Sequence, residues 1–173
     1  TVKMKVNIVL PFMPELKDIE KDFSECLATG MVTNNSQYVR AFEEKLGGFF
    51  RSAITPINFC NGELALYNLI LAWKLKLGYA PNDTFNVLTP SFTFVGTVNA
   101  IVANHLNPIF CDVDDSLTLD IKSIKKIPDN TKMIIPVGVY GNLTDMELLG
   151  KFAKKNNLVV ILDNAPAFAS KFK

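Results

Sequence analysis

A single histidine, His105, stands in the whole chain, and its three cysteines, Cys26, Cys60 and Cys111, lie far apart with no C-x-x-C pair. One histidine cannot build a histidine-based metal cluster, and three scattered thiols make neither a redox pair nor an even disulfide set. The cysteines are therefore expected as buried thiols, and no metal is assigned. Long apolar runs are lacking too. No segment is long and apolar enough to span a bilayer, and the amino terminus carries no signal-peptide-like stretch, which predicts a cytoplasmic protein without membrane contact. An excess of either charge is also missing. Eighteen lysines and arginines against seventeen acids give a formal charge of +1, with the two signs interspersed. That pattern excludes the basic footprint of a nucleic-acid or anionic-membrane binder. No G-x-G-x-x-G or P-loop follows any predicted strand, so the common nucleotide-binding fingerprints are absent. There is no low-complexity tract and no internal repeat.

What the chain does have is apolar residues, 49% of its 173 positions. This length suits one domain with a real core. The apolar fraction is a little high for a domain with a complete polar surface, which points to a buried partner surface.

The pattern predicts two amino-terminal helices over residues 1–50 and an α/β sheet over 51–173. Leu16, Ile19, Phe23 and Leu27 recur at helical spacing, with Gly30 placed to end that helix. After the polar loop Thr33-Asn34-Asn35-Ser36, Ser36 is positioned to cap a second helix with an apolar stripe of Val39, Phe42, Leu46 and Phe49. Ile54 to Phe59 reads as a strand despite Pro56, and Cys60-Asn61-Gly62-Glu63 turns the chain into an apolar helix reaching Leu77. Strands then alternate with helices: Asn86 to Thr89, Pro108 to Cys111, Met133 to Val137 and Val159 to Asp163. Asp120 and Asp145 are placed to cap the helices between them. This rhythm predicts a three-layer α/β/α sandwich with a mainly parallel sheet. The continuous run Val159-Val160-Ile161-Leu162 reads as an inner strand buried on both faces.

Three predicted strand ends carry candidate chemistry. Ligands of open α/β sheets bind outside the carboxyl ends of strands, where Asp163 falls. It either holds a cationic ligand group or caps the next helix, and position alone does not separate these. Asn61-Gly62-Glu63 opens a helix, so its backbone N–H groups suit a phosphate. Phe94, just beyond Pro90-Ser91-Phe92-Thr93, either covers a flat ring or packs in the core. Together the three would hold a planar, cationic, phosphorylated cofactor. His105 reads as a surface residue and Trp73 as core. Asp112, Asp114 and Asp115 occupy a strand exit and turn, where aspartates cap backbone groups.

Thr33 to Glu43, Pro90-Ser91-Phe92-Thr93-Phe94-Val95, Phe110-Cys111-Asp112-Val113-Asp114 and Pro136-Val137-Gly138-Val139-Tyr140-Gly141 are similar, in order, to landmarks of the DegT/DnrJ/EryC1/StrS family. These are pyridoxal-phosphate-dependent sugar aminotransferases of the aspartate aminotransferase fold (fold type I), with some related dehydratases. The resemblance covers only the amino-terminal part of such an enzyme. It implies transamination of a keto-sugar nucleotide, with glutamate as the usual amino donor, in nucleotide-sugar and polysaccharide synthesis. It also implies that Asp163 pairs with the pyridinium nitrogen and keeps it protonated, and that Phe94 stacks on the ring. Gly62, Glu63 and Leu64 correspond to the phosphate turn, and Thr33 and Asn34 to the loop near the sugar nucleotide.

The chain departs from the family at Glu63, where threonine is usual, at Pro166, where a polar residue contacts the ring hydroxyl, and at Gly138, where histidine is common. A glutamate at the phosphate turn opposes a phosphate dianion unless it points away, so cofactor binding is expected to be weak or absent. The family's cofactor-linked lysine corresponds to a segment beyond Lys173, and neither Lys171 nor Lys173 matches it. No catalytic residue is assigned, and the chain is expected to be a truncated member without the small carboxy-terminal domain. The alternative is a catalytically silent remnant that binds a partner or ligand. In the family's seven-stranded sheet, ordered 3-2-4-5-6-7-1, the strand at Ile54 to Phe59 would lose its neighbour here. That predicts a homo-oligomer or a complementary fragment filling the gap.

Overall fold

The computed structural model describes residues 11–172; Lys173 lies outside them. The chain divides into two compact units, one ending at Asn58 and the other beginning at Phe59.

In the first unit, helix α1 (Leu16–Thr29) ends where Gly30 adopts φ +68°, a left-handed conformation that costs glycine nothing. Helix α2 (Gln37–Phe50) starts after Ser36, whose hydroxyl makes no capping bond to the helix. Thr33 and Asn34 lie in the exposed loop between them. The strand expected at Ile54 to Phe59 is not formed: the segment is irregular, and Ile54 and Ile57 are nearly four-fifths exposed. Pro56 supplies no ladder donor, and the Asn58 N–H donates instead to Glu43 Oε1 of α2 at 2.9 Å. The expected partner filling a gap beside that strand therefore loses its premise.

The second unit is a parallel sheet with helices on both faces. Strands β1 (Asn86–Pro90), β2 (Asn107–Cys111), β3 (Thr131–Ile134) and β4 (Val159–Val160) stand in the order β2-β1-β3-β4. Omitting the strand that did not form, this is the 3-2-4-5 run of the expected order. Side chains alternate across the sheet with the period of two that a pleated strand imposes. Val87, Met133, Ile135 and Ile161 pack with Leu66 and Ile70 of α3 (Gly62–Lys76) and with Ala100 and Ile101 of α4 (Val95–Ala103). Leu88 and Ile134 face the other way, toward Ile121 and toward Leu149 and Ala153 of α5 (Met146–Lys155). Each fully buried leucine or isoleucine here contributes ~1.5–3 kcal/mol. The three-layer sandwich follows from this double burial.

Local signals place the helix starts. Asn61, Asp120 and Asp145 accept hydrogen bonds from the N–H groups of Leu64, Lys122 and Leu148 at 2.8–2.9 Å. Lys74, in the last turn of α3, is fully buried and donates to the carbonyls of Pro81 and Asn104 at 2.7 Å each. Loss of hydration holds its pKa below the usual lysine value, partly offset by Asp83.

Three expectations change in detail. The apolar run at Val159 forms only a two-residue strand at the edge of the described sheet, half-buried rather than buried on both faces. A strand with one ladder partner is held from one side only, although pairing persists as far as a bridge between Val137 and Asp163. Cys60 is exposed in the loop before α3, and Cys26 and Cys111 are half-buried. Burial raises the Cys111 thiol to about 11. Trp73 is a partly buried neighbour of the core, with Lys76 Nζ 4.4 Å above its ring. His105 is exposed, as expected, and Asp114 caps a turn by accepting from the Ser116 N–H at 2.9 Å.

Candidate functional site

The carboxyl ends of β1, β3 and β4 all face the start of α3, and between them lies a cavity of about 540 Å³. That size falls within the range of small-molecule sites. Gly62, Glu63, Phe94 and Asp163 all line it, so four of the residues singled out from the sequence meet in one place. Leu64 does not line it, and its N–H is already taken by the Asn61 side chain. The first-turn N–H groups of Gly62 and Glu63 have no helical acceptor, as at any helix start, and remain available to an anion. Thr33 and Asn34 belong to the other unit.

Asp163 is held from several directions. Its backbone N–H donates to Pro136 O at 3.1 Å and its carbonyl accepts from Gly138 N–H at 2.9 Å, which extends the β3–β4 ladder to this residue. Oδ2 accepts from Thr97 Oγ1 at 2.6 Å, and Oδ1 accepts a long 3.4 Å bond from Ala165 N–H. The capping alternative thus reduces to that long contact, and Oδ1 keeps acceptor capacity for a ligand. Phe94 is the residue before α4, with β-region backbone angles, and its ring is three-quarters exposed. It is neither core nor part of the helix. The ring bends back over α4: a Cβ on Gly96 would lie 3.1 Å from Phe94 Cδ1 and 3.3 Å from Glu63 Oε2.

Sequence reading missed Gly96 and Thr97. A glycine inside an apolar helical pattern is a signal of close approach, and here it makes room for the Phe94 ring. Thr93, in the bend before α4, meets Thr97 in its first turn, but nothing local announces that Thr97 meets a residue 66 positions later.

The departure at Gly138 is built into this region. A Cβ there would lie 2.5 Å from Ala167 Cβ and 3.0 Å from Asn164 Oδ1, so any larger residue requires the turn after Asp163 to move.

These residues fit the pyridine end of pyridoxal phosphate better than its phosphate end. An anchored carboxylate and an exposed aromatic ring suit a protonated planar ring. At the phosphate end two free N–H groups attract an anion, while the Glu63 carboxylate repels it.

A model of the DegT/DnrJ/EryC1/StrS aminotransferase family matches residues 15–173. The GDP-perosamine synthase of Escherichia coli O157:H7 is 35% identical over 167 residues, spanning 94% of this chain and 43% of that protein. The dTDP-4-amino-4,6-dideoxy-D-glucose transaminase of Escherichia coli is 30% identical over 97% of this chain and 43% of its own length. NtdA from Bacillus subtilis, solved with bound cofactor PMP, superposes with a TM-score of 0.77 at 28% identity, over 96% of this chain and 39% of that one. The E. coli GDP-4-keto-6-deoxy-D-mannose-3-dehydratase, with bound hydrated PLP, shares the fold with a TM-score of 0.82 at 21% identity, over 96% of this chain and 42% of that one. The chain therefore spans about 43% of the length of the curated relatives named here. With its α/β/α layers superposing on fold type I enzymes and the family model matching almost all of its length, the chain belongs to the DegT/DnrJ/EryC1/StrS aminotransferase family.

Proposed function

We propose that this chain forms the cofactor-ring platform of a sugar-nucleotide aminotransferase, with pyridoxal 5'-phosphate or its amino form as the ligand of the cavity. The observation that carries this reading is the convergence of Asp163, Phe94 and the α3 amino terminus on one cavity at the carboxyl ends of the strands. When bound, the cofactor supplies an electron sink for transamination. The chain's own residues orient it. Asp163, with acceptor capacity left on Oδ1, would hold the ring N–H and its proton, Phe94 would cover one ring face and exclude water from it, and the N–H groups of Gly62 and Glu63 would receive the phosphate. Thr33 and Asn34 would contact the sugar nucleotide.

The parent activity in this reading is amino transfer to a keto-sugar nucleotide for polysaccharide synthesis in the cytoplasm. Residues 1–50 are its amino-terminal helices and 51–173 part of its large domain. Association with a second copy or a complementary segment is part of the proposal, supported by the edge position of β4 among the described residues. A second reading, a catalytically silent ligand- or partner-binding module, draws support from the Glu63 carboxylate beside the phosphate turn.

Calorimetric titration with pyridoxamine 5'-phosphate tests the platform. Asp163→Asn and Phe94→Ala are each expected to weaken binding about tenfold, since each removes an interaction worth ~1–2 kcal/mol. Unchanged affinity in both variants would overturn the proposal.

A further inference from the structure

We infer that Thr97 is a positioning residue that fixes the orientation of the Asp163 carboxylate toward the ring nitrogen, with Thr93 as its support. The inference rests on the ring-platform reading and adds to it the residues that aim the carboxylate. Thr97 Oγ1 lies 2.6 Å from Asp163 Oδ2. An ionised carboxylate only accepts, so the threonine hydroxyl is the donor and its single proton is committed to Asp163. The Thr97 oxygen is then free to accept, and Thr93 Oγ1 stands 2.8 Å away. Thr93 also has the Phe94 carbonyl within 3.3 Å, a longer and weaker alternative for its proton. The hydroxyls therefore line up as Thr93 to Thr97 to Asp163, each polarising the next.

Two features make this an orienting device. Thr97 is 1% exposed, so its hydroxyl is shielded from solvent and committed to its protein partners. Threonine is also branched at Cβ and stiff at χ1, which transmits the rigidity of α4 to the carboxylate. With Oδ2 held by α4, Oδ1 carries the spare acceptor capacity for a ring N–H.

The test compares two ligands, pyridoxamine 5'-phosphate and its 1-deaza analogue, in which C–H replaces the ring nitrogen. The full chain and its Thr97→Val, Thr97→Ser and Thr93→Val variants are titrated with each, with thermal melts alongside. The unmodified chain is expected to prefer the nitrogen-bearing ligand. Thr97→Val is expected to lose about tenfold in affinity for that ligand while its affinity for the deaza analogue holds. Thr97→Ser should recover most of the loss, and Thr93→Val should show a smaller version of it. A purely structural role for Thr97 would weaken both ligands equally and overturn the inference. So would an unaltered preference in Thr97→Val, even though the ring platform itself would then stand. No preference in the unmodified chain would remove the ring platform and the inference with it. If Thr97→Val fails to fold, the decision passes to Thr93→Val: the graded loss supports the inference and an unaltered preference overturns it.

Discussion

Replacing Glu63 by threonine is expected to tighten binding of pyridoxamine 5'-phosphate. Glu63 is the second residue of α3, and its Oε2 reaches to 3.3 Å from where a Cβ on Gly96 would sit, beside the first turn of α4. The carboxylate thus stands between two helix starts, each a favourable place for an anion worth ~0.3–1 kcal/mol. It occupies by charge the role that a ligand phosphate would take. A single negative charge opposing a phosphate dianion across a cavity open to solvent costs on the order of 1–2 kcal/mol. Removing it should strengthen binding roughly 5–30-fold. Glu63→Gln isolates the charge from the shape and should give most of that gain. Pyridoxamine without its phosphate serves as control, because it is cationic and should bind no better to either variant. The gain should shrink as salt is raised, since screening weakens the repulsion being removed. Calorimetric titration of both ligands at low and moderate salt reads all of this. Equal or weaker binding of the phosphorylated ligand by Glu63→Thr would mean that this turn does not receive a phosphate.

Lys74→Met should destabilise the fold by about 2 kcal/mol, because two carbonyls lose their donor while the burial penalty of the cation is relieved; urea melts check it. The pH dependence has a definite sign. The folded-state pKa of Lys74 lies below the ordinary value of 10.5, so between the two the unfolded chain binds the extra proton, and stability relative to Lys74→Met rises with pH through that window. A fall over the same range would refute the buried placement. Gly138→Ala should cost ~1–3 kcal/mol from overlap with Ala167, measured by thermal melting. Ala169 holds φ +63°, so Ala169→Gly should stabilise by about 0.5–1 kcal/mol, and a loss of stability would contradict that backbone conformation.

What the sequence made legible was local. Gly30, Asp120 and Asp145 act within a few residues of themselves, and their roles as helix end and caps follow from their types and neighbours. The alternation of strands and helices carried the layer architecture, and Asp163, Phe94 and Gly62 do share a cavity. Ile54 to Phe59 misled because strand formation depends on a partner and on ladder donors, and Pro56 and the Glu43 contact remove them. The edge placement of β4 is equally non-local, since an apolar run cannot report which neighbours it has. Thr97 looked like one more position in an apolar helix until the fold brought it to Asp163, 66 residues on. Lys74 sits in a helix where a lysine ordinarily reaches solvent, and only tertiary packing closes over it.

The central claim is that Asp163 holds a protonated ring nitrogen, and the ¹⁵N chemical shift of ring-labelled pyridoxamine 5'-phosphate at saturation reads it directly. The unmodified chain should show the pyridinium shift at neutral pH and above, and Asp163→Asn should move it toward the free-base value at the same pH. A bound ligand whose shift is the same in both proteins would contradict the account.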